Sequence, residues 1–280
     1  MMVAAIAYEQ LDPGVKDRVD ELLKLNPGYG AWTQGAPERL AREVAFVRAS
    51  TWPDFIKSAP GYEDDGRRRG APEASQNIGY ADKLQHRYWH YVDLPFSTDG
   101  TRLEDPRPPN AETETEAFRA ALASPTVPDD VKSYDLVWLL HLVGDVHQPL
   151  HATSRFSAAL PHGDQGGNKV KVTCSPKCGA RDLHAFWDDA LGSGKSAAAA
   201  IGAARKLGGT AGSSPDLRTR TWLEESLQVA ESVAYAGPVG GGRGPYRLDA
   251  SYQAAAPVAA QARVRLAGAR LAAVLANELR

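Results

Sequence analysis

A mostly α-helical protein is predicted by three features of the sequence. Apolar residues recur at helical spacing over most of the chain, only two short stretches carry the alternation of strands, and the periodic segments are separated by Gly- and Pro-rich loops. A length of 280 residues permits one or two domains. None of the loops is long or simple enough to divide the chain, so one domain spanning 1–280 is expected.

Met1 to Ala7 is apolar, but no basic segment precedes it, Tyr8-Glu9-Gln10 ends it and no small-residue cleavage site follows, so it reads as the first turns of a helix. Val15, Val19 and Leu22, then Leu40, Val44 and Val47, mark two amphipathic helices, with Pro37 suited to the first position of the second. Arg87 to Leu94 and Asn168 to Cys174 are the strand candidates, enough for a small β-hairpin. Residues 110–123 and 195–207 are rich in helix formers. Leu223, Leu227 and Ala230 stripe a helix within 217–235, and Val264, Leu271, Leu275 and Leu279 stripe the last one. Gly61 to Gly70, Asp99 to Asn110 and Gly237 to Pro245 are loops, and the Arg67-Arg68-Arg69 run in the first reads as solvated.

Composition removes several function classes. No apolar run approaches the roughly 18 residues of a membrane span. With 32 Lys plus Arg against 34 Asp plus Glu, the formal charge is −2 and no general basic field exists. Affinity for phosphate would need local cations, of which metal ions are one source. Cys174 and Cys178 lack the second pair that a four-thiolate zinc site requires. They read either as a disulfide clip on a hairpin, which implies an oxidising compartment, or as two reduced thiols.

Five of the seven histidines fall between His141 and His184, far more than even spreading would place there. Tyr134 to His151 reads as a helix buried on nearly every side, with His141 and Asp145 inside it. A buried carboxylate costs several kcal/mol unless paired, and no Lys or Arg lies between Ser133 and Ser154. A metal cation would resolve that cost. Four residues apart on a helix, His141 and Asp145 are separated by about 40° and can reach one ion. His151 would lie about 80° from His141 and serve a neighbouring ion, unless Pro149 kinks the last turn. His184 and Asp188 repeat the spacing, and imidazole with carboxylate is an ordinary zinc donor set. His86, His147 and His162 have no partner at that spacing and read as surface or supporting histidines.

The run His141-Leu-Val-Gly-Asp145-Val-His-Gln-Pro-Leu-His151, followed by Gly166-Gly167-Asn168, Leu183-His184 and Trp187-Asp188, resembles the zinc-dependent single-strand nucleases of the S1/P1 type. Ala49-Ser50-Thr51-Trp52-Pro53-Asp54, Trp89-His90-Tyr91-Val92-Asp93 and Ala267-Gly268-Ala269-Arg270-Leu271-Ala272 extend the resemblance over nearly the whole chain, in the family's order. It implies a helical fold with three Zn2+ ions in a cleft. Asp54, His90, His141 and Asp145 resemble the ligands of one zinc, and His151, His184 and Asp188 those of a second. Asp145 would bridge to a third, which the family completes with an N-terminal Trp and a nearby His, neither of which is present. Met1 to Ala7 resembles the stretch after that His, so the chain is expected to be N-terminally truncated relative to the family.

The implied activity is metal-dependent hydrolysis of single-stranded DNA, RNA and 3′-nucleotides to 5′-phosphate products, by a secreted or periplasmic protein taken as a monomer. Asp93 is the candidate for orienting the water or a ligand imidazole, with a plain surface carboxylate as the rival reading. Tyr91 would stack a base or simply pack in the core, and Asn168 would touch substrate or close a tight turn. Two alternatives stand beside the nuclease: a zinc-dependent phospholipase C, which would have Glu where Asp188 stands, and a non-catalytic zinc-binding helical protein.

Overall fold

The computed structural model describes residues 1–66, 70–174, 178–192, 194, 196–208 and 216–279, together with the backbone but not the side chain of Cys178. Arg67, Arg68 and Arg69 lie outside the described residues. The chain opens with α1 (Met2–Gln10), whose Ala4, Ala5, Ile6 and Ala7 are all buried. It continues through α2 (Pro13–Leu23), α3 (Tyr29–Thr33), α4 (Ala41–Ala49) and α5 (Trp52–Ile56). Pro37 precedes a 3₁₀ turn, Glu38–Leu40, rather than opening α4: with its nitrogen capped by the ring, it suits the entry to either kind of turn.

The strand expected over Arg87 to Leu94 is not there. Arg87–His90 forms a 3₁₀ turn in which neighbouring Tyr88, Trp89 and His90 are all buried, so the apparent alternation marks no exposed face. The strand comes later, as β1 (Leu94–Ser97). A Pro-rich loop then leads to α6 (Ala111–Ala123), which starts where Asn110 accepts from the Glu112 and Thr113 amides and Thr113 accepts in return from the Asn110 amide.

The central helix is α7 (Asp129–Asp145), buried without a break from Lys132 to Val143. A helix apolar all round must sit inside other elements, and α2, α5, α6 and α11 (Ala250–Glu278) all pack on it. Trp138 at its middle meets the rings of Trp52, Trp89, Phe118 and Tyr134. The helix ends at Asp145, earlier than the apolar pattern suggests. Pro149 cannot donate to a continuing helix, and His151 arrives on a separate turn, Pro149–His151.

Between α7 and α11 the chain forms β2 (Thr153–Phe156), β3 (Lys171–Cys174), β4 (Cys178–Asp182), α8 (Leu183–Asp188), α9 (Ala197–Leu207), α10 (Thr219–Val229), a π-helical turn and β5 (Tyr246–Arg247). A small hairpin does form, but β3 pairs with β4, which is not one of the strand candidates, and β3 starts at Lys171 because Asn168 closes a turn on Gln165. β5 pairs in parallel with β3. A second parallel pair sets Leu94 of β1 beside Thr153 of β2, which brings the chain after His90 against the chain after His151. A smaller apolar cluster, including Phe96, Leu150, Val172, Leu183 and Trp187, lies under this sheet region. α11 crosses α1 so closely that a Cβ on Gly268 would fall 2.5 Å from Ile6. Among the described residues no helix is long and apolar enough to cross a membrane.

Candidate metal centre

Three elements deliver the four residues of the first donor set. α5 carries Asp54, the Arg87–His90 turn carries His90, and the last turn of α7 carries His141 and Asp145. His90 Nδ1 and His141 Nε2 lie 2.9 Å apart, each 3.0 Å from Asp145 Oδ2. Asp54 Oδ1 is 3.9 Å from His90 Nδ1 and 3.7 Å from His141 Nε2. The His141 ring is fixed from behind, where Nδ1–H donates to the Ser50 carbonyl at 2.7 Å. That bond turns Nε2 toward the centre. His90 Nε2 is buried without a hydrogen-bond partner.

The second set comes from the Pro149–His151 turn and α8. His151 Nε2 and His184 Nε2 face each other at 3.1 Å, and each is 3.6 Å from an oxygen of Asp188. Here too both outer nitrogens are committed: His151 Nδ1–H donates to the His90 carbonyl and His184 Nδ1–H to the Gly166 carbonyl, each at 2.8 Å. Gln148 Nε2 donates to Asp188 at 2.8 Å. The sets adjoin, since Asp145 Oδ2 is 3.7 Å from His151 Nδ1.

Electrostatics show what this arrangement lacks. With both Nδ1 protons given to carbonyls, the inner Nε2 lone pairs of His151 and His184 point at each other unless a cation or a proton lies between them. Burial opposes charge on His151, but Asp145 and Asp188 outweigh it and raise the ring to about 9. Burial likewise opposes charge on His141, yet Asp145 and Asp54 raise it. Burial lowers His90 to about 3, and burial with the His151 charge lowers His184. Asp145 lies well below the carboxylate range, because His141 and His151 overcome its burial. The second set therefore holds a proton on His151 at neutral pH, and in both sets a divalent ion would satisfy the same donors. One oxygen or nitrogen from each of Asp54, His90 and His141 lies within 4.8 Å of the others, as is true for His151, His184 and Asp188. All the donors fit a metal that accepts imidazole and carboxylate.

Both sets open into one cleft of about 640 Å³, lined also by Met1, Met2, Lys57, Gln148 and Trp187. Burial brings the Met1 amine down to about 6, against the pull of Asp145 and Asp54. Lys57 Nζ meets Asp54 Oδ1 at 2.7 Å and is a local cation at the rim. His90 and the three remaining site candidates are not among the residues that line the cleft. Tyr91 packs part-buried against the main core, Asp93 is half-buried, and exposed Asn168 donates its side-chain amide to the Gln165 carbonyl at 2.7 Å.

Two histidines read as surface or supporting residues are fully inside. His147 donates Nδ1–H to the Val143 carbonyl, and its Nε2 accepts from Arg270 at 3.0 Å. His86, without any exposure, stacks on Trp89 at 3.5 Å and bridges two buried carboxylates, Asp65 at 3.0 Å and Asp82 at 2.7 Å. His162 is exposed and meets Glu104. Lys57, Gln148 and the carbonyls of Ser50, His90 and Gly166 carried no sequence signal of their own.

The family model described as S1/P1 Nuclease matches residues 1–280, the whole chain. None of the curated proteins matches it.

Proposed function

The chain belongs to the S1/P1 nuclease family, and from that premise we propose that it is a zinc-dependent endonuclease and 3′-nucleotidase. It cleaves the phosphodiesters of single-stranded DNA and RNA and leaves 5′-phosphates. The observation that carries this reading is the pair of adjoining donor sets, linked by Asp145, on the wall of one cleft.

Asp54, His90, His141 and Asp145 would hold one zinc, and His151, His184 and Asp188 a second. The third ion that the resemblance implies would need ligands beyond Asp145. Bound zinc supplies a water of lowered pKa and a Lewis acid for the phosphate oxygens and the leaving oxygen. The chain's own residues hold and orient. Ser50, His90 and Gly166 fix the imidazole tautomers through their carbonyls, and Gln148 holds Asp188. Three protein donors in the second set leave a coordination position for water or phosphate. Lys57 sets a positive charge beside the incoming phosphate, which matters in a chain with no general basic field. We assign no substrate contact to Tyr91 or Asn168 and no catalytic step to Asp93.

The same reading makes the protein one domain, a monomer, and secreted or periplasmic. A Cys174–Cys178 clip would suit that compartment, and the strand register sets the two residues opposite each other.

The reading is tested by incubating the zinc-loaded chain with denatured DNA, duplex DNA and phosphatidylcholine vesicles. Rapid cleavage of denatured DNA to 5′-phosphate ends, abolished by chelation, is expected. Vesicle hydrolysis without DNA cleavage would contradict it.

Two further outcomes follow from the second set. Zinc must expel the His151 proton, so affinity there should rise with pH up to about 9 and then level off. Calorimetry in buffers of different ionisation enthalpy would register the released proton. Gly166→Ala should weaken zinc at this set about 10- to 100-fold and spare the first. At φ +58 an added Cβ falls 2.1 Å from the Leu150 carbonyl oxygen, so the carbonyl that orients His184 must move. A two-phase zinc titration separates the sets.

A further inference from the structure

Val146, His147 and Gln148 separate Asp145, the last donor on α7, from the turn that brings in His151. Their conformation sets one donor set against the other. The three amides turn back onto α7, to the carbonyls of Leu142, Gly144 and Asp145 at 2.9, 3.2 and 2.9 Å. The carbonyls of Val146 and His147 are taken up by other helices. Ser226 of α10 donates its hydroxyl to Val146 at 2.6 Å, and Arg263 of α11 donates Nε–H to His147 at 3.2 Å.

Arg263 and Arg270 stand seven residues apart on α11, within about 20° of one face. Both are buried, and both end on Glu225 of α10. Arg270 grips its two oxygens at 2.6 and 2.7 Å, and Arg263 meets one at 2.9 Å. A contact between two helices calls for neither guanidinium, since apolar side chains of similar volume pack at no greater cost. Their other hydrogen bonds show what they add. Arg263 lines the cleft, but its nitrogens are taken by Glu225, Ser226 and the Trp222 and His147 carbonyls, so it is frame and no free cation. Arg270 donates to the ring of His147 at 3.0 Å. That ring is fixed in turn: the Val143 carbonyl only accepts and the guanidinium only donates, so the imidazole is neutral with its proton on Nδ1.

We propose that Arg270 is a positioning residue for the metal centre, an inference that rests on the zinc-dependent reading above. Through His147 Nε2 it holds the turn whose Gln148 steadies Asp188 and whose end delivers His151. Arg263 and Ser226 hold the carbonyls of the same turn. The second donor set is thereby built against the first from α11, a helix that gives neither set a donor. Arg270 lies in the Ala267 to Ala272 stretch, which carries part of the family resemblance.

The test is a two-phase zinc titration of wild type, Arg270→Gln, Arg270→Lys, His147→Gln and His147→Asn, with urea denaturation alongside. In place of the imidazole, glutamine sets an acceptor near the position of Nε2 and asparagine near that of Nδ1. Arg270→Gln and His147→Asn should weaken zinc at the second set about 10- to 100-fold and spare the first, while His147→Gln stays within about threefold of wild type. Arg270→Lys keeps a charge for Glu225 but loses the fork, so it should fall with Arg270→Gln and replaces it if that variant does not fold. Lower stability in urea with unchanged zinc affinity would overturn the proposal and leave Arg270 a tie between α10 and α11. So would an equal loss at both sets, or a His147→Asn variant that titrates as wild type. Those outcomes strike this inference alone, whereas a wild type without two zinc phases would overturn the zinc-dependent reading and this inference with it.

Discussion

Asp145→Asn should lower kcat/KM on denatured DNA by about 10³-fold or more, because it removes the one charge that serves both donor sets. Asp145 Oδ2 lies 3.0 Å from His90 Nδ1, 3.0 Å from His141 Nε2 and 3.7 Å from His151 Nδ1. Its carboxylate is the largest of the charges that raise His141 and His151 against their burial. An amide has nearly the same shape but no charge. The buried imidazoles would lose their counter-ion, and a divalent ion would lose an anionic ligand in a site of low dielectric. Metal stabilisation of a transition state is worth several kcal/mol, and about 4 kcal/mol already corresponds to about 10³ in rate. Kinetics together with zinc per chain by elemental analysis would check this, with zinc content falling in parallel. Activity within tenfold of wild type would remove Asp145 from the centre of the account.

The largest effect on stability is expected from Asp65→Ala, at about 3 to 5 kcal/mol. Asp65 is fully buried. It accepts from the His86 backbone amide at 2.8 Å and the Tyr88 hydroxyl at 2.6 Å, and it pairs with His86 Nδ1 at 3.0 Å. Without it, the His86 amide and the Tyr88 hydroxyl each lose an acceptor and one ring nitrogen of buried His86 loses its carboxylate, each at a desolvation cost. His86 sits at φ 44, a region that non-glycine residues rarely occupy, and it opens the turn that ends at His90. Losing the anchor should therefore also disturb a metal donor.

The pH dependence of this network has a definite sign. Burial works against charge on Asp65, but the bonds from His86 and Tyr88 outweigh it and lower the carboxyl from 3.8. Its contribution is complete above 3.8 and is lost as pH falls through the folded value. Burial also opposes charge on His86, but Asp65 and Asp82 raise it above 6.5. That contribution is complete below 6.5 and is lost as pH rises through the folded value. Urea denaturation of wild type and Asp65→Ala across pH should show the greatest difference between 3.8 and 6.5. A difference under about 1 kcal/mol throughout would show that the network carries little stability.

Where local pattern decides structure, the sequence was readable. The helical stripes around Val15 and Val44 and the runs of helix formers became α2, α4, α6 and α9 at nearly the expected bounds, while the stripe around Leu271 covers only the C-terminal half of α11. Arg87 to Leu94 misled because Trp89, between Tyr88 and His90, is buried as they are, and the three close a 3₁₀ turn instead of a strand. The β1–β2 pair was hidden because parallel strands joined by more than fifty residues leave no local signature. In the site, helical spacing alone brought out His141 with Asp145 and His184 with Asp188. Asp54 and His90 came only through the resemblance, since 36 residues separate them and tertiary packing brings them together. Spacing also has limits as evidence. Asp82 and His86 share the four-residue interval but lie outside any regular helix and form a buried ion pair, with the His86 ring nitrogens aimed at different carboxylates.

The account depends on divalent ions sitting where the imidazoles and carboxylates converge. Anomalous scattering measured on either side of the zinc edge, from crystals grown with excess zinc, tests that most directly. The expected map has one peak within coordination reach of His90, His141 and Asp145 and another within reach of His151, His184 and Asp188. A well-ordered map with those rings in place and no anomalous peak among them would contradict the account.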